Sequence, residues 1–374
     1  MPIDICRLRL AGQFLTRNGP ATPAQAVQIL GAVQSQDYAG AKWAVAQRVP
    51  GVTDVAVEGA FDAGRILRTH VLRPTWHFVI PADIRWMLAL TGPRVRAKMA
   101  GSNGRLGIDE ALVRRSNAVF EKALAGGRSL TRAELAAALQ HARVGVVAGQ
   151  RLAHLLMLAE LDGVVVSGPR RGKQFTYALL EERAPNAPSM TTEEAIHELA
   201  RRYFTTRGPA TPHDFAWWSG LTIADARRGI ASNAAALERV SLGGMDYWMG
   251  VDQTPPSRRG SAHLLPNYDE YFIGHRDRSA IGARLRDVGS VMGGTVLVPN
   301  VIIVDGQLVG TWKRLGSGQR GARGLARKTP AEIDAMVVEL RPTARLAAAE
   351  KRRIVSAAME FGRFHAASTS VRWL

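Results

Sequence analysis

Thr16-Arg17-Asn18-Gly19-Pro20-Ala21-Thr22-Pro23 returns later in the chain as Thr206-Arg207-Gly208-Pro209-Ala210-Thr211-Pro212. Each copy reads as the end of one helix and the start of another. The glycine suits a left-handed helix end, and Thr22 or Thr211 offers an oxygen cap, with proline in the first turn and Gln25 or Asp214 at the third position. A weaker third version, Gly127-Arg128-Ser129-Leu130-Thr131-Arg132-Ala133-Glu134, keeps capping-box spacing between Thr131 and Glu134 ahead of Leu135 and Leu139. Three helix-turn-helix units are therefore predicted.

Candidate hairpins follow two of them. After a helix over Arg151 to Leu161 come Val164-Val165-Val166, a turn carrying Arg170, Arg171 and Lys173, and a return through Phe175 to Leu179. In the first unit, Ile66 to Leu72 and Thr75 to Ile80 flank Arg73-Pro74. A helix-turn-helix completed by a hairpin is a winged helix, a frequent DNA-docking module. No such wing is legible for the third unit. Beyond about residue 241 the pattern changes to short apolar runs, Met245 to Met249, Thr295 to Leu297, Val301 to Val304 and Leu308 to Trp312, with a hairpin signal at Asp305-Gly306. A helix from Thr343 to about Phe364 closes the chain. The fold expected is α+β, with units at 1–127, 128–188 and 189–240 and a small antiparallel β domain at 241–374.

Composition narrows the function. The 374 residues carry 49 Lys+Arg against 32 Asp+Glu, a formal charge of +17, and 46% are hydrophobic, which excludes a disordered chain because cores can form. Seven lysines leave 42 arginines, the residue whose planar fork grips phosphate. GC-rich coding raises arginine counts too, so composition alone leaves nucleic-acid binding and codon bias both open. Residues 65 to 105 hold Arg65, Arg68, Arg73, Arg85, Arg94, Arg96, Lys98 and Arg105 against Asp83, which favours DNA contact around the first hairpin. Cys6 is the single cysteine, excluding internal disulfides and cysteine-based zinc sites. With no leader pattern and no apolar run of spanning length, a soluble cytoplasmic protein is expected.

Several chemistries lack their residues: there is no phosphate-loop motif, no His-Glu-x-x-His and no Cys-x-x-Cys. Gly316 to Gly321 matches Gly-x-Gly-x-x-Gly but follows a hairpin and precedes further cations, so it reads as a basic loop. Lys313, Arg314, Arg320 and Arg323 in that stretch suit phosphate contact or a solvated loop equally. Gln34-Ser35-Gln36-Asp37 stands out at the end of the helix opened by Thr22. On a helix the two glutamines diverge, whereas in an extended segment they share a face, so joint action requires the helix to stop before Gln34. Amides position water without acting as a base near pH 7, although two glutamines at a helix end are commonly capping or surface residues. Trp76 and His77, adjacent on a strand, face opposite sides, with Trp76 the one expected in the core. Asp269-Glu270 reads as an acid/base pair or, more often for such a pair, as structural salt bridges with Arg276 and Arg278 nearby.

The chain resembles the AlkZ-like bacterial DNA glycosylases, which have tandem winged helices and include azinomycin-resistance enzymes. The resemblance covers nearly the whole chain. It rests on Val33-Gln34-Ser35-Gln36-Asp37 with Ala41-Lys42-Trp43-Ala44, on Arg73-Pro74-Thr75-Trp76-His77-Phe78, on Leu265-Pro266-Asn267-Tyr268-Asp269-Glu270-Tyr271 with Gly274 to Arg278, and on Gly310-Thr311-Trp312-Lys313-Arg314. The family pattern of glutamine, aliphatic residue, glutamine falls on Gln34 and Gln36, with Ser35 departing from the usual middle residue.

This resemblance implies three winged helices forming a concave surface the size of duplex DNA, beside a β-rich domain. It also implies a monomeric glycosylase that removes alkylated purines, bulky N7-alkylguanine adducts or interstrand crosslinks of genotoxic natural products, on double-stranded nucleoid DNA, without cofactor or metal; none of the seven lysines adjoins the glutamine motif, so a monofunctional hydrolase is expected and not a lysine Schiff-base route. Gln34 and Gln36 would hold the water, Asp37 or Asp269 would support the charge, and His77 is a further candidate for electrostatic support. Phosphate contacts would come from Arg73, Arg170, Arg171, Lys173, Lys313, Arg314, Arg320 and Arg323. The rival readings are a dimeric winged-helix transcription regulator without catalysis and a winged-helix module for a protein partner.

Overall fold

The computed structural model describes residues 4–16, 19–145, 148–253, 260–285, 299–315 and 335–374. After α1 (Ile5–Gly12), one order of elements occurs three times: helix, strand, helix, helix, hairpin. The first unit is α2 (Pro23–Leu30), β1 (Val33–Gln34), α3 (Tyr38–Ala46), α4 (Asp54–Asp62), β2 (Leu67–His70) and β3 (Trp76–Val79). Its sheet runs β1-β3-β2. A long helix, α5 (Pro81–Arg105), leads to the second unit: α6 (Glu110–Leu124), β4 (Leu130–Thr131), α7 (Arg132–His141), α8 (Gly149–Leu161), β5 (Val165–Ser167) and β6 (Thr176–Leu179). Its sheet, β4-β6-β5, repeats the first. After the short α9 (Leu180–Arg183), the third unit has α10 (Thr192–Arg207), a bridge from Ala210 to Trp248 in place of the first strand, α11 (Pro212–Ser219), α12 (Ile223–Ser232), β7 (Leu237–Leu242) and β8 (Met245–Gly250).

Three sequence expectations change here. The third unit has a hairpin after all: Met245 to Met249 pairs with Leu237 to Leu242, not with the C-terminal sheet, and the edge placed at 240/241 falls inside β7. Gly208 is not left-handed, with φ −64°. A side chain there would meet Phe204 O at 2.4 Å and Met249 Cα at 2.7 Å, so glycine is required by the close approach of β8. The echo itself is out of register with the structural repeat. Thr22 opens the first helix of its unit, whereas Thr131 and Thr211 open the second helix of theirs, all three within complete capping boxes. A cap specifies that a helix starts, not which helix of a unit it is. The residue matching Thr131 and Thr211 is Asp37, the N-cap of α3.

Among the described residues the remaining elements are β9 (Ala262–Leu265), α13 (Glu270–Ile273), a 3-10 turn at Ser279–Gly282, β10 (Val301–Val304), β11 (Gln307–Leu315), β12 (Ala335–Pro342), α14 (Ala348–Phe364) and β13 (Ser368–Trp373). Asp305 and Gly306, both at positive φ, turn the β10–β11 hairpin as the sequence predicts. The sheet β13-β12-β11-β10-β9 is not purely antiparallel. β13 lies parallel to β12, because α14 carries the chain back across the sheet before the last strand begins. The expected strand Thr295 to Leu297 lies outside the described residues. Trp43 ties α3 to this sheet: its Nε1 donates to Leu264 O at 2.7 Å and its ring packs on Phe361 and Phe364.

Candidate active site

Gln34 and Gln36 sit where the first helix of unit one gives way to the second. α2 ends at Leu30 because Gly31 takes φ 79°, after which Val33 and Gln34 pair with Phe78 and His77 of β3. The helix thus stops before Gln34, as joint action of the two amides demands. In units two and three the capping threonine follows the strand position at once, Thr131 being itself in β4 and Thr211 adjoining Ala210. In unit one, Ser35 and Gln36 intervene between the strand and its cap Asp37. The candidate catalytic segment is a local lengthening of an otherwise repeated strand-to-helix turn.

Both amides are held by one turn. Arg73 Nη2 donates to Gln34 Oε1 at 2.7 Å, and the Trp76 backbone N–H donates to Gln36 Oε1 at 3.4 Å. Gln34 is 7% exposed, whereas Gln36 is open to solvent. Between them Ser35 is fully buried, its N–H donating to Trp76 O at 2.7 Å and its carbonyl accepting from Arg68 Nε at 3.1 Å. Arginine has only donors, so Arg73 can meet only the oxygen of Gln34 and fixes which way that amide points. Asp37, half-buried, accepts from Gly40 N–H at 3.1 Å as the cap of α3.

The loop after β9 clamps this segment from behind. Glu270 Oε1 accepts the Gln34 backbone N–H at 2.9 Å, while its Oε2 takes Arg207 Nη2 at 2.7 Å and Trp218 Nε1 at 2.8 Å. Arg207 in turn donates to Leu30 O and Ala32 O at 2.9 and 3.1 Å, on either side of the Gly31 break. Asp269 is fully buried in a two-bonded pair with Arg48, both contacts 2.9 Å, and also caps Tyr271 N–H. The salt-bridge reading of Asp269-Glu270 therefore describes what these groups do. Their partners are Arg48 and Arg207, however, not Arg276 and Arg278, which bond Asp214 through the backbone and the Phe272 carbonyl. Sequence reasoning missed Arg48, Arg207 and Trp218; the recurring Thr-Arg of the echo was the one pointer to Arg207.

Trp76 and His77 exchange the places expected of them. His77 is 0% exposed, with Nδ1 at 2.9 Å from Thr75 O and no partner for Nε2. Burial first, and then the Arg73 charge, holds its imidazole well below the usual range, so it is neutral. Trp76 is half-exposed, with the Arg68 guanidinium 4.2 Å over its ring.

The expected phosphate contacts divide. Arg73 is engaged with Gln34. Arg170 lies over the Tyr38 and Phe175 rings and its N–H bonds Asp62 at 2.7 Å, joining units one and two. Arg171 pairs with Glu134 and Lys313 with Glu339, each remaining more than half exposed. Lys173 and Arg314 are exposed, and Arg320 and Arg323 lie outside the described residues. The imbalance around residues 65 to 105 is partly cancelled in space, since Arg85 pairs with Glu181 and Arg96 with Glu110 and Asp162. Lys42, the lysine nearest in sequence to Gln36, is 6% exposed and held by Asp54 and Glu58 at 2.9 and 2.6 Å. No cluster of His, Cys, Asp and Glu suited to a metal occurs among the described residues. No described helix is long and apolar enough to cross a membrane.

Residues 27–364 match the family model described as DNA glycosylase AlkZ-like. No curated protein matches the sequence. Among solved structures, the DNA glycosylase AlkZ of Streptomyces sahachiroi shares the fold, with a TM-score of 0.79 and 21% identity over 99% of this chain and 98% of that one.

Proposed function

The chain belongs to the AlkZ-like DNA glycosylase family and is a DNA glycosylase, and from that premise we propose that it hydrolyses the N-glycosidic bond of N7-alkylated purines in double-stranded DNA, with Gln34 and Gln36 placing the water. The observation that carries this is the capture of both glutamine carbonyls by the single turn Arg73 to Trp76. N7 alkylation gives the base a positive charge, so it departs without an acid. What remains is to steady an oxocarbenium-like sugar and to aim a water at it. Each carbonyl has two lone pairs, one used by Arg73 or by Trp76 N–H. The second can accept an O–H of the same water, leaving the water's lone pair directed at the sugar.

Asp37 supplies the negative charge in this scheme, since its carboxylate caps α3 beside Gln36. Asp269 is left out, because Arg48 and the α13 cap occupy it. His77, neutral and across the strand from Gln34, backs the amide and carries no charge. We read the three repeated units as winged helices around a concave duplex-binding face, acting as a monomer without metal or cofactor. Lys173, Arg171, Lys313 and Arg314 then contact phosphates. The openness of Gln36 suits bulky N7-guanine adducts and crosslinks.

The test is single-turnover base release from duplexes containing N7-methylguanine. Gln34→Ala and Gln36→Ala are expected to lower the rate at least a hundredfold, and Asp37→Asn about tenfold, since asparagine preserves the cap and removes the charge. Release by Gln34→Ala at the wild-type rate would remove the amides from the mechanism.

A further inference from the structure

The turn that clamps Gln34 also carries an unclaimed cation and an exposed ring. α13 is a single helical turn, and Glu270 at its start holds the Gln34 N–H. At its end, where helical carbonyls lack backbone partners, two side chains step in. Arg278 Nε donates to Phe272 O at 2.9 Å, and Trp217 Nε1 donates to Ile273 O at 3.3 Å. The Arg278 guanidinium lies 4.7 Å over the Phe272 ring, which fixes it further. Its two terminal nitrogens have no hydrogen-bond or ion-pair partner among the described residues, and burial depresses its charged form with no acid to offset the effect. The acids at hand are engaged elsewhere: Glu270 with Arg207, Asp214 with Thr211 and the Arg276 N–H, and Asp277 with the Ser279 N–H. The excess charge reaches the candidate catalytic segment, since Arg73 is depressed by burial first and then, against Glu270, by the charges of Arg278 and Arg207. Trp217 is 46% exposed, whereas the next residue, Trp218, is buried and donates to Glu270. Consecutive tryptophans of α11 thus clasp the two ends of α13, and Trp217 keeps a face in solvent.

A fixed guanidinium without an anion, beside a fixed and open ring, suits a nucleic-acid strand, whose phosphates meet arginine and whose nucleotides pack on aromatic faces. Capping α13 needs only the Nε–H of Arg278 and leaves the rest of the fork unexplained. We infer that the end of α13 grips the damaged strand: Arg278 binds the backbone phosphate beside the nucleotide presented to Gln34 and Gln36, and Trp217 packs against the neighbouring nucleotide. The grip is joined to the chemistry through Glu270, because the same turn holds the Gln34 backbone. The inference rests on the proposed reaction for the strand it names, and adds to it two residues that position the substrate.

Binding is measured on duplexes carrying a 2′-fluorinated N7-methylguanine nucleotide, whose fluorine disfavours the sugar cation and so prevents release. Phosphates on both strands are replaced one at a time by neutral methylphosphonates. For wild type, a replacement within about two nucleotides of the lesion, on its own strand, is expected to weaken binding about tenfold. Arg278→Gln keeps an N–H for the Phe272 carbonyl. It is expected to bind the natural backbone about tenfold more weakly, to lose about one ion of salt dependence, and to be indifferent to that replacement. Arg278→Lys, which retains the charge, should recover part of the affinity. Trp217→Ala is expected to lose about tenfold with its salt dependence unchanged. Wild-type affinity and salt dependence in Arg278→Gln would reduce Arg278 to a cap and overturn the inference. So would a variant that still feels the replaced phosphate, or a sensitive phosphate found only on the opposite strand. Melting curves show whether each variant is folded; if Arg278→Gln is not, a wild-type map with no sensitive phosphate near the lesion overturns the inference by itself. Base release from the unfluorinated duplex reports on the reaction separately, so a protein that shows the phosphate but releases no base keeps the grip and loses the reaction.

Discussion

Arg73 belongs to the chemistry of a single amide. Its sequence setting, between two β-prone runs in a basic stretch, reads as a phosphate contact, and its neighbours turn it inward onto Gln34. Nothing in the order of residues distinguishes those roles, because they differ only in which oxygen lies 2.7 Å away. The two make opposite predictions for Arg73→Gln. Glutamine offers both a donor and an acceptor, so it no longer dictates the orientation of Gln34. We expect kcat for base release to fall roughly ten- to a hundredfold while the dissociation constant for duplex DNA stays within about twofold. A phosphate contact would instead weaken binding, reduce its salt dependence by about one ion, and leave kcat alone.

Among the elements, the turn between α2 and α3 decides the site. Gly31 sits at φ 79° and ψ −57°, and its neighbours leave room for a methyl group, the nearest atom being Arg202 Cδ at 3.7 Å. Only backbone strain forbids a side chain there. Gly31→Ala is therefore expected to cost about 1–2 kcal/mol in denaturant unfolding and to slow base release by displacing Gln34. Unchanged stability and rate would mean that the helix end, and not this glycine, sets the segment. The need for an interruption here was legible, because two glutamines two apart can share a face only off a helix. The lengthening by Ser35 and Gln36 was not, since it appears only when the three units are laid over one another. The echo that revealed the repeat matched capping chemistry, and so it paired a first helix with second helices.

The molecule as a whole buries histidines that cannot charge. Burial holds His77 well below its usual value and lowers His263 to about 4, and His275 is likewise depressed. The unfolded chain takes up protons near 6.5 and the native one does not. Their contribution is therefore complete above pH 6.5 and is lost progressively as the pH falls below it, for His263 until about pH 4. The denaturation midpoint should drop between pH 7.5 and 5.0, and His77→Gln should lessen the drop. A midpoint that does not move over that interval would contradict the burial of these rings.

The sequence by itself determined local matters: where helices begin, where Asp305-Gly306 turns a hairpin, and that two amides need an extended backbone. Each is encoded by residues within a few positions of one another. Only the tertiary structure decided which charges are free. Glu270 and Arg207 reach the Gln34 segment from distant parts of the chain, Arg48 takes Asp269, and Arg85 and Arg96 find acids in the second unit. A buried cation is tolerated only beside its partner, and that pairing is a property of packing in space.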